Sequence, residues 1–157
     1  MKQELENKFY ERFKFIKKGK TPQDWFFFGF ECGDGWFDLL WDLCLKLEEL
    51  KFEGKVQQVK EKFGGLRFYV DGATDEQWKV IEEAEAKSYK TCETCGQSGK
   101  VGGKGWIATL CDICRWQRIW VFPSSAFWRP DQAAIMPIKM SYSERKNRRN
   151  SLHFIRS

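Results

Sequence analysis

Two CxxC pairs, Cys92-Glu-Thr-Cys95 and Cys111-Asp-Ile-Cys114, lie 15 residues apart and constrain this chain more than any other feature. A CxxC turn points both sulfurs to one side and supplies half of a tetrahedron. Two such knuckles therefore complete a four-sulfur shell with metal–sulfur bonds of about 2.3 Å. The spacing predicts one structural Zn²⁺ held by Cys92, Cys95, Cys111 and Cys114. Gly96, Gly99, Gly102, Gly103 and Gly105 permit tight turns and a short hairpin between the pairs, with Trp106, Ile107 and Leu110 packing over its face. The second pair runs into Arg115-Trp-Gln-Arg-Ile-Trp-Val. As a helix carrying its own ligands, that run would make a treble-clef-like finger rather than a simple zinc ribbon. A redox dithiol needs one CxxC at a helix start in a thioredoxin-like unit, a pattern not seen here. Two symmetric knuckles favour zinc or a single iron over an iron–sulfur cluster. Four protein ligands leave no open coordination position, which argues against catalysis at the metal. Cys32 and Cys44 have no further Cys or His beside them and read as buried free thiols.

A length of 157 residues suits one domain, or one with a small appendage. With 42% apolar and 31% charged residues the composition is that of a soluble globular chain. Eight Trp and 14 Phe imply a core or an interface built largely of rings. His153 is the only histidine, which excludes multi-His metal centres and leaves little room for a Ser-His or Cys-His nucleophile. No apolar run approaches the roughly 20 residues of a membrane span, and Met1-Lys-Gln-Glu-Leu-Glu does not read as a signal peptide, so the expected location is cytoplasmic.

Leu5, Phe9, Phe13 and Ile16 recur at helical spacing and predict an amphipathic helix over 2–17. The aromatic stretch Trp25–Phe30 is expected as a buried strand or an extended loop clamped into the core. Gly33-Asp-Gly35 opens a second helix with Asp34 as its N-cap and Trp36, Leu39, Leu40, Leu43, Leu47 and Leu50 on one face. Val56–Phe63 and Leu66–Val70 read as a β-hairpin turning at Gly64-Gly65. Thr74-Asp-Glu-Gln77 is a capping-box signature for a third helix to about Tyr89, with Trp78, Ile81, Ala84 and Ser88 inward. The expected class is α+β: a small antiparallel sheet with flanking helices and a four-cysteine module. The expected division is a core over 1–90, the module over 91–122 and a basic, aromatic arm over 123–157.

Charge is split along the chain. Residues 115–157 carry nine Lys or Arg, seven of them Arg, against Asp131 and Glu144. Arg145, Lys146, Arg148, Arg149 and Arg156 suit phosphates or an acidic protein surface. Trp116, Trp120, Trp128 and Arg129 are residue types that dominate protein–protein hot spots, and predict a partner or homodimer interface. Lys60, Lys62 and Arg67, interleaved with Phe63, Phe68 and Tyr69, could form a nucleic-acid surface, although a half-buried hairpin shows the same alternation and is the favoured reading. Asp34, Asp38 and Asp42 read as one cap and a wet helix face rather than a Mg²⁺ site. Glu49-Leu-Lys51 and Glu85-Ala-Lys87 echo a nuclease fragment but fall on predicted helices.

The strings Gly33-Asp-Gly-Trp-Phe-Asp-Leu-Leu40, Val59-Lys-Glu-Lys-Phe-Gly-Gly-Leu-Arg-Phe-Tyr69 and Glu83-Ala-Glu-Ala-Lys-Ser88, followed by the CxxC pairs, resemble a group of small zinc-binding proteins of phage and bacterial mobile elements. The likeness spans about residues 30–115. It implies zinc binding, and it transfers no catalytic residue. By analogy of setting, it implies a non-enzymatic accessory protein that docks on a larger nucleic-acid-processing protein or ribonucleoprotein, such as a CRISPR effector, and modulates it in phage–host conflict. Direct DNA or RNA binding through the arginine-rich arm is the alternative.

Overall fold

A computed structural model describes residues 1–21, 24 and 26–120. Trp25, Trp128, Arg129, Lys146 and the arginines at 145, 148, 149 and 156 lie outside the described residues, as does the arm expected over 123–157. The elements run α1 (Gln3–Arg12), β1 (Phe30–Glu31), a 3-10 turn (Asp34–Trp36), α2 (Phe37–Glu49), β2 (Lys55–Lys62), β3 (Gly65–Asp71), α3 (Asp75–Ser88), β4 (Lys100–Gly102), β5 (Ala108–Leu110) and α4 (Asp112–Trp120). The class is α+β. Among the described residues, no helix is long and apolar enough to cross a membrane.

The main sheet has the order β1-β2-β3 and is mixed, where an antiparallel sheet is expected from the sequence. The hairpin β2-β3 is antiparallel, but Phe30–Glu31 pairs parallel to Val59 and Lys60. Parallel neighbours need a crossover connection, and α2 supplies it. The hairpin turn sits one residue earlier than Gly64-Gly65: Lys62 pairs with Gly65, so Phe63-Gly64 is the two-residue loop. Both loop residues have positive φ, 54° and 80°, as a turn matching the twist of the strands requires. Gly65 opens β3 opposite Lys62, where a Cβ would lie 2.2 Å from the Tyr89 ring, so the position excludes a side chain.

Helix α1 ends at Arg12, short of the expected 17. Phe13 turns extended (φ −111°, ψ 114°), yet Phe9, Phe13 and Ile16 are all buried. The extended segment swings Phe13 against Trp41 (centroids 5.1 Å) and Phe15 edge-on to Phe52 (5.3 Å). Leu39, Leu40, Leu43 and Leu47 of α2 meet Val56, Val59, Leu66 and Phe68 of the sheet in one cluster that also takes Ile81 and Ala84 of α3. Each large apolar side chain so buried contributes about 1.5–3 kcal/mol.

Thr74 and Gln77 form the reciprocal capping box of α3. The inward residue of that first turn is Gln77, while the expected Trp78 is 40% exposed. Gln77 is drawn in because its Nε2 donates to the Leu50 carbonyl at the end of α2, 2.9 Å away. Asp34 does not cap α2. Its carboxylate accepts from the Lys2 N–H (2.7 Å) and pairs with the Lys2 ammonium (3.4 Å), serving the start of α1 instead. Helix α3 also closes the outer edge of the sheet: Ser88 Oγ and Glu85 Oε1 accept from the Leu66 and Phe68 N–H groups of β3. An edge whose donors are taken by side chains is a poor template for a further strand.

Candidate metal centre

The four sulfurs of Cys92, Cys95, Cys111 and Cys114 all lie within 4.8 Å of one another, and Cys95 Sγ is 3.6 Å from Cys111 Sγ. In a regular four-sulfur tetrahedron with bonds of about 2.3 Å the sulfurs stand about 3.8 Å apart, so the donor set fits a tetrahedral metal ion. Local chain geometry explains the convergence. The first knuckle turns tightly through the Gly96 N–H bond to the Cys92 carbonyl, with Gly96 at φ 74°. The hairpin β4-β5 then brings the chain back, and Cys111 immediately precedes α4, whose first turn carries Cys114. A helix bearing ligands after a knuckle and a hairpin is the treble-clef-like arrangement. The Cys114 N–H points at Cys111 Sγ (3.4 Å), the kind of outer bond that orients a ligand sulfur.

The thiols are tuned unequally. Burial opposes ionisation of Cys92, but backbone N–H groups of Cys111, Cys95 and Thr94 aimed at its sulfur hold it below the ordinary thiol range. Burial pushes the Cys95 thiol up to about 11 and raises Cys114 as well. Four thiolates this close repel one another, and a bound cation is the group whose charge offsets that repulsion. Cys32 and Cys44 are buried and free, as expected, and burial pushes the Cys32 thiol up to about 12.

The centre is seated on the core by residues that pattern reasoning missed. Gly33 donates to Glu93 Oε1 (2.9 Å), Gly35 to the Glu93 carbonyl (2.7 Å), and the Trp36 indole to the Thr91 carbonyl (2.8 Å). A Cβ on Gly33 would stand 2.3 Å from the Glu93 carbonyl oxygen, and one on Gly35 would stand 2.4 Å from that of Cys92. On the other side, buried Thr109 of β5 donates to the Gly64 carbonyl at the tip of the main hairpin. Core and cysteine module accordingly belong to one compact unit. The only available signal was the pair of glycines flanking Asp34, which marks a close backbone approach without saying to what.

Of the other sequence-expected groups, Trp116 is 63% exposed on α4. Trp120 is the last residue of that helix. Leu110 is buried over the cysteine cluster as expected, whereas Trp106 and Ile107 are exposed, with the Arg118 guanidinium 5.9 Å over the Trp106 ring. Asp34 and Asp42 are paired with Lys2 and Lys87, and the four cysteines are the only metal-ligating group of three or more among the described residues. The hairpin set divides: Phe68 enters the core and Arg67 bonds Tyr89 and Glu85, while Lys60 stays with Tyr69 on the open face. Compared with family models, curated proteins and solved structures, the chain matches none.

Proposed function

We propose that this chain is a non-enzymatic, zinc-binding accessory protein that docks on a larger nucleic-acid-processing protein or ribonucleoprotein and modulates it. One observation carries the reading: Ile113 and Trp116, one turn apart on α4, are 64% and 63% exposed on the helix that Cys111 immediately precedes and whose first turn holds Cys114. Large apolar side chains fixed on a rigid support are what a docking anchor needs, and Trp is the residue type most enriched at such anchors. A closed four-sulfur shell supports a structural ion, since no coordination position is left for a substrate. The nucleic-acid character of the partner rests on the sequence resemblance and the arginine-rich segment. The test is affinity capture from the source cells with nuclease treatment, alongside metal analysis of the purified protein. About one zinc per chain is expected, with a stoichiometric protein retained after nuclease and at moderate salt, and lost with Trp116→Ala. Recovery that vanishes with nuclease and ignores Trp116→Ala overturns docking in favour of direct nucleic-acid binding through the arm.

A further inference from the structure

We infer that the open face of the main sheet is a stacking platform for a short stretch of single-stranded nucleic acid. Beside β1 and β2 lies an open groove of about 470 Å³, lined by Phe27, Phe28, Lys60 and Tyr69 together with the carboxylates of Asp24 and Glu31. That volume is within the range of small-ligand sites. Phe28 is 69% exposed and Tyr69 39%. Phe28 is displayed by a built loop. Phe26, at φ 59°, is buried edge-on to Phe30 (5.1 Å) and ties its N–H to the Gln57 carbonyl (2.9 Å). Gly29, at φ 67°, is held so close to Glu6 that a Cβ would stand 2.7 Å from its carboxylate. A non-glycine residue in the left-handed region costs on the order of 1 kcal/mol or more, and such strain concentrates at binding loops.

The chemistry of the groove selects the ligand. Two exposed rings offer faces on which bases stack whatever their identity. Gln58 sits directly across the strand pair from Tyr69. Its amide nitrogen donates to Glu31 Oε2 (2.8 Å), which fixes the group beside the ring. Glutamine amides carry the donors and acceptors that match base edges. The Lys60 ammonium, 5.5 Å over the Tyr69 ring, is the cation for a phosphate once a base takes its place on that ring. Glu31 is the register partner of Lys60 across β1 and β2, and Asp24 also lines the groove, so these carboxylates offset the ammonium and stacking on the rings carries the binding. A duplex keeps its bases stacked inside and presents nothing to either ring, so the site prefers an open strand.

The test is fluorescence anisotropy with a labelled twelve-residue oligo-dT and the corresponding dT·dA duplex, using the full chain. A background carrying Arg145→Gln, Lys146→Gln, Arg148→Gln and Arg149→Gln together is run in parallel to subtract the arginine-rich segment. In both backgrounds Phe28→Ala and Tyr69→Ala should each weaken oligo-dT binding about ten-fold, and Tyr69→Phe should restore it, because the loss is of stacking. Lys60→Gln should reduce the salt slope by about 0.7, the contribution of one phosphate on a single strand. Duplex binding should not respond to either ring. Absence of oligo-dT binding, equal binding after both alanine substitutions, or a duplex response of the same size overturns the platform. Both rings are exposed, so unchanged melting temperature and metal content verify that the variants are folded. The docking reading depends on Trp116, which none of these variants touches, so the two proposals fail separately.

Discussion

Replacing Gly35 by alanine tests the seating of the metal centre on the core. The added Cβ would stand 2.4 Å from the Cys92 carbonyl oxygen and 2.5 Å from the backbone nitrogens of Cys95 and Gly96. All three are backbone atoms of the knuckle, so no side chain can swing aside. Ordinary contact distances of about 3.5 Å require the knuckle to retreat by about 1 Å. Such a shift breaks the bonds from Gly35 N–H to the Glu93 carbonyl and from the Trp36 indole to the Thr91 carbonyl, now 2.7 and 2.8 Å. Two hydrogen bonds at about 1 kcal/mol each, with about 1 kcal/mol of overpacking strain, give a loss of about 3 kcal/mol. On the premise that metal removal releases the knuckle, the alanine then meets nothing and the loss appears as metal affinity. At 1.4 kcal/mol per ten-fold, zinc binding should weaken by about 100-fold. Competition with a chromophoric chelator measures it. Gly102→Ala is the control, since a Cβ there meets only the flexible end of Arg115 at 3.0 Å. Unchanged zinc affinity in Gly35→Ala, or an equal destabilisation of the metal-free and metal-bound forms, would refute the reasoning.

Cys111→Ser should lower the zinc content well below one per chain, and chelation of the wild type should abolish amide-exchange protection in α4 while α3 keeps its own. Native protein with metal bound should resist alkylation at Cys32 and Cys44, whose thiols are buried and shifted upward; labelling read by peptide mass should reach them only on unfolding. Thr74→Ala removes half of the capping box and should cost about 1 kcal/mol in denaturant unfolding. Arg12 makes two bonds to Glu48, at 2.7 and 2.6 Å, and holds that carboxyl below the usual carboxylate range. A carboxyl lowered in the folded state contributes stability above its unfolded value, and the contribution fades as pH falls through the folded one. Arg12→Ala should therefore lower the melting temperature slightly at pH 7, and the difference from wild type should disappear in acid.

What the sequence made legible was local. A CxxC pair and a Thr-x-x-Gln box carry their geometry within four residues, and both formed where expected. Features decided by distant partners were not legible. Nothing near Phe63 says that it, rather than Gly65, takes the positive φ; the Tyr89 ring on another element excludes a side chain from Gly65. Asp34 looks like a cap by its neighbours and is claimed by Lys2. Trp78 outranks Gln77 in hydrophobicity, but the unpaired carbonyl at the end of α2 draws the amide inward. A strand of two residues such as β1 leaves no periodicity to read, so its parallel pairing emerges only with the crossover in place.

The placement of α4 explains why this unit would hold a metal at all. Hydrophobic burial normally fixes a helix, yet Ile113 and Trp116 are exposed, and among the described residues of α4 only Cys114 is buried. A nine-residue helix is too short to persist on its own. Beyond its sulfurs, α4 is tied down by the exposed Arg115 guanidinium on the Lys100 carbonyl (2.6 Å) and by the Arg118 guanidinium 5.9 Å over the Trp106 ring. An exposed contact of either kind contributes about 1 kcal/mol. Structural zinc in small modules contributes on the order of 10 kcal/mol. Metal ligation can therefore place an apolar helix face at the surface where packing would have hidden it, and an exposed Trp116 and a four-sulfur centre are two sides of the same arrangement.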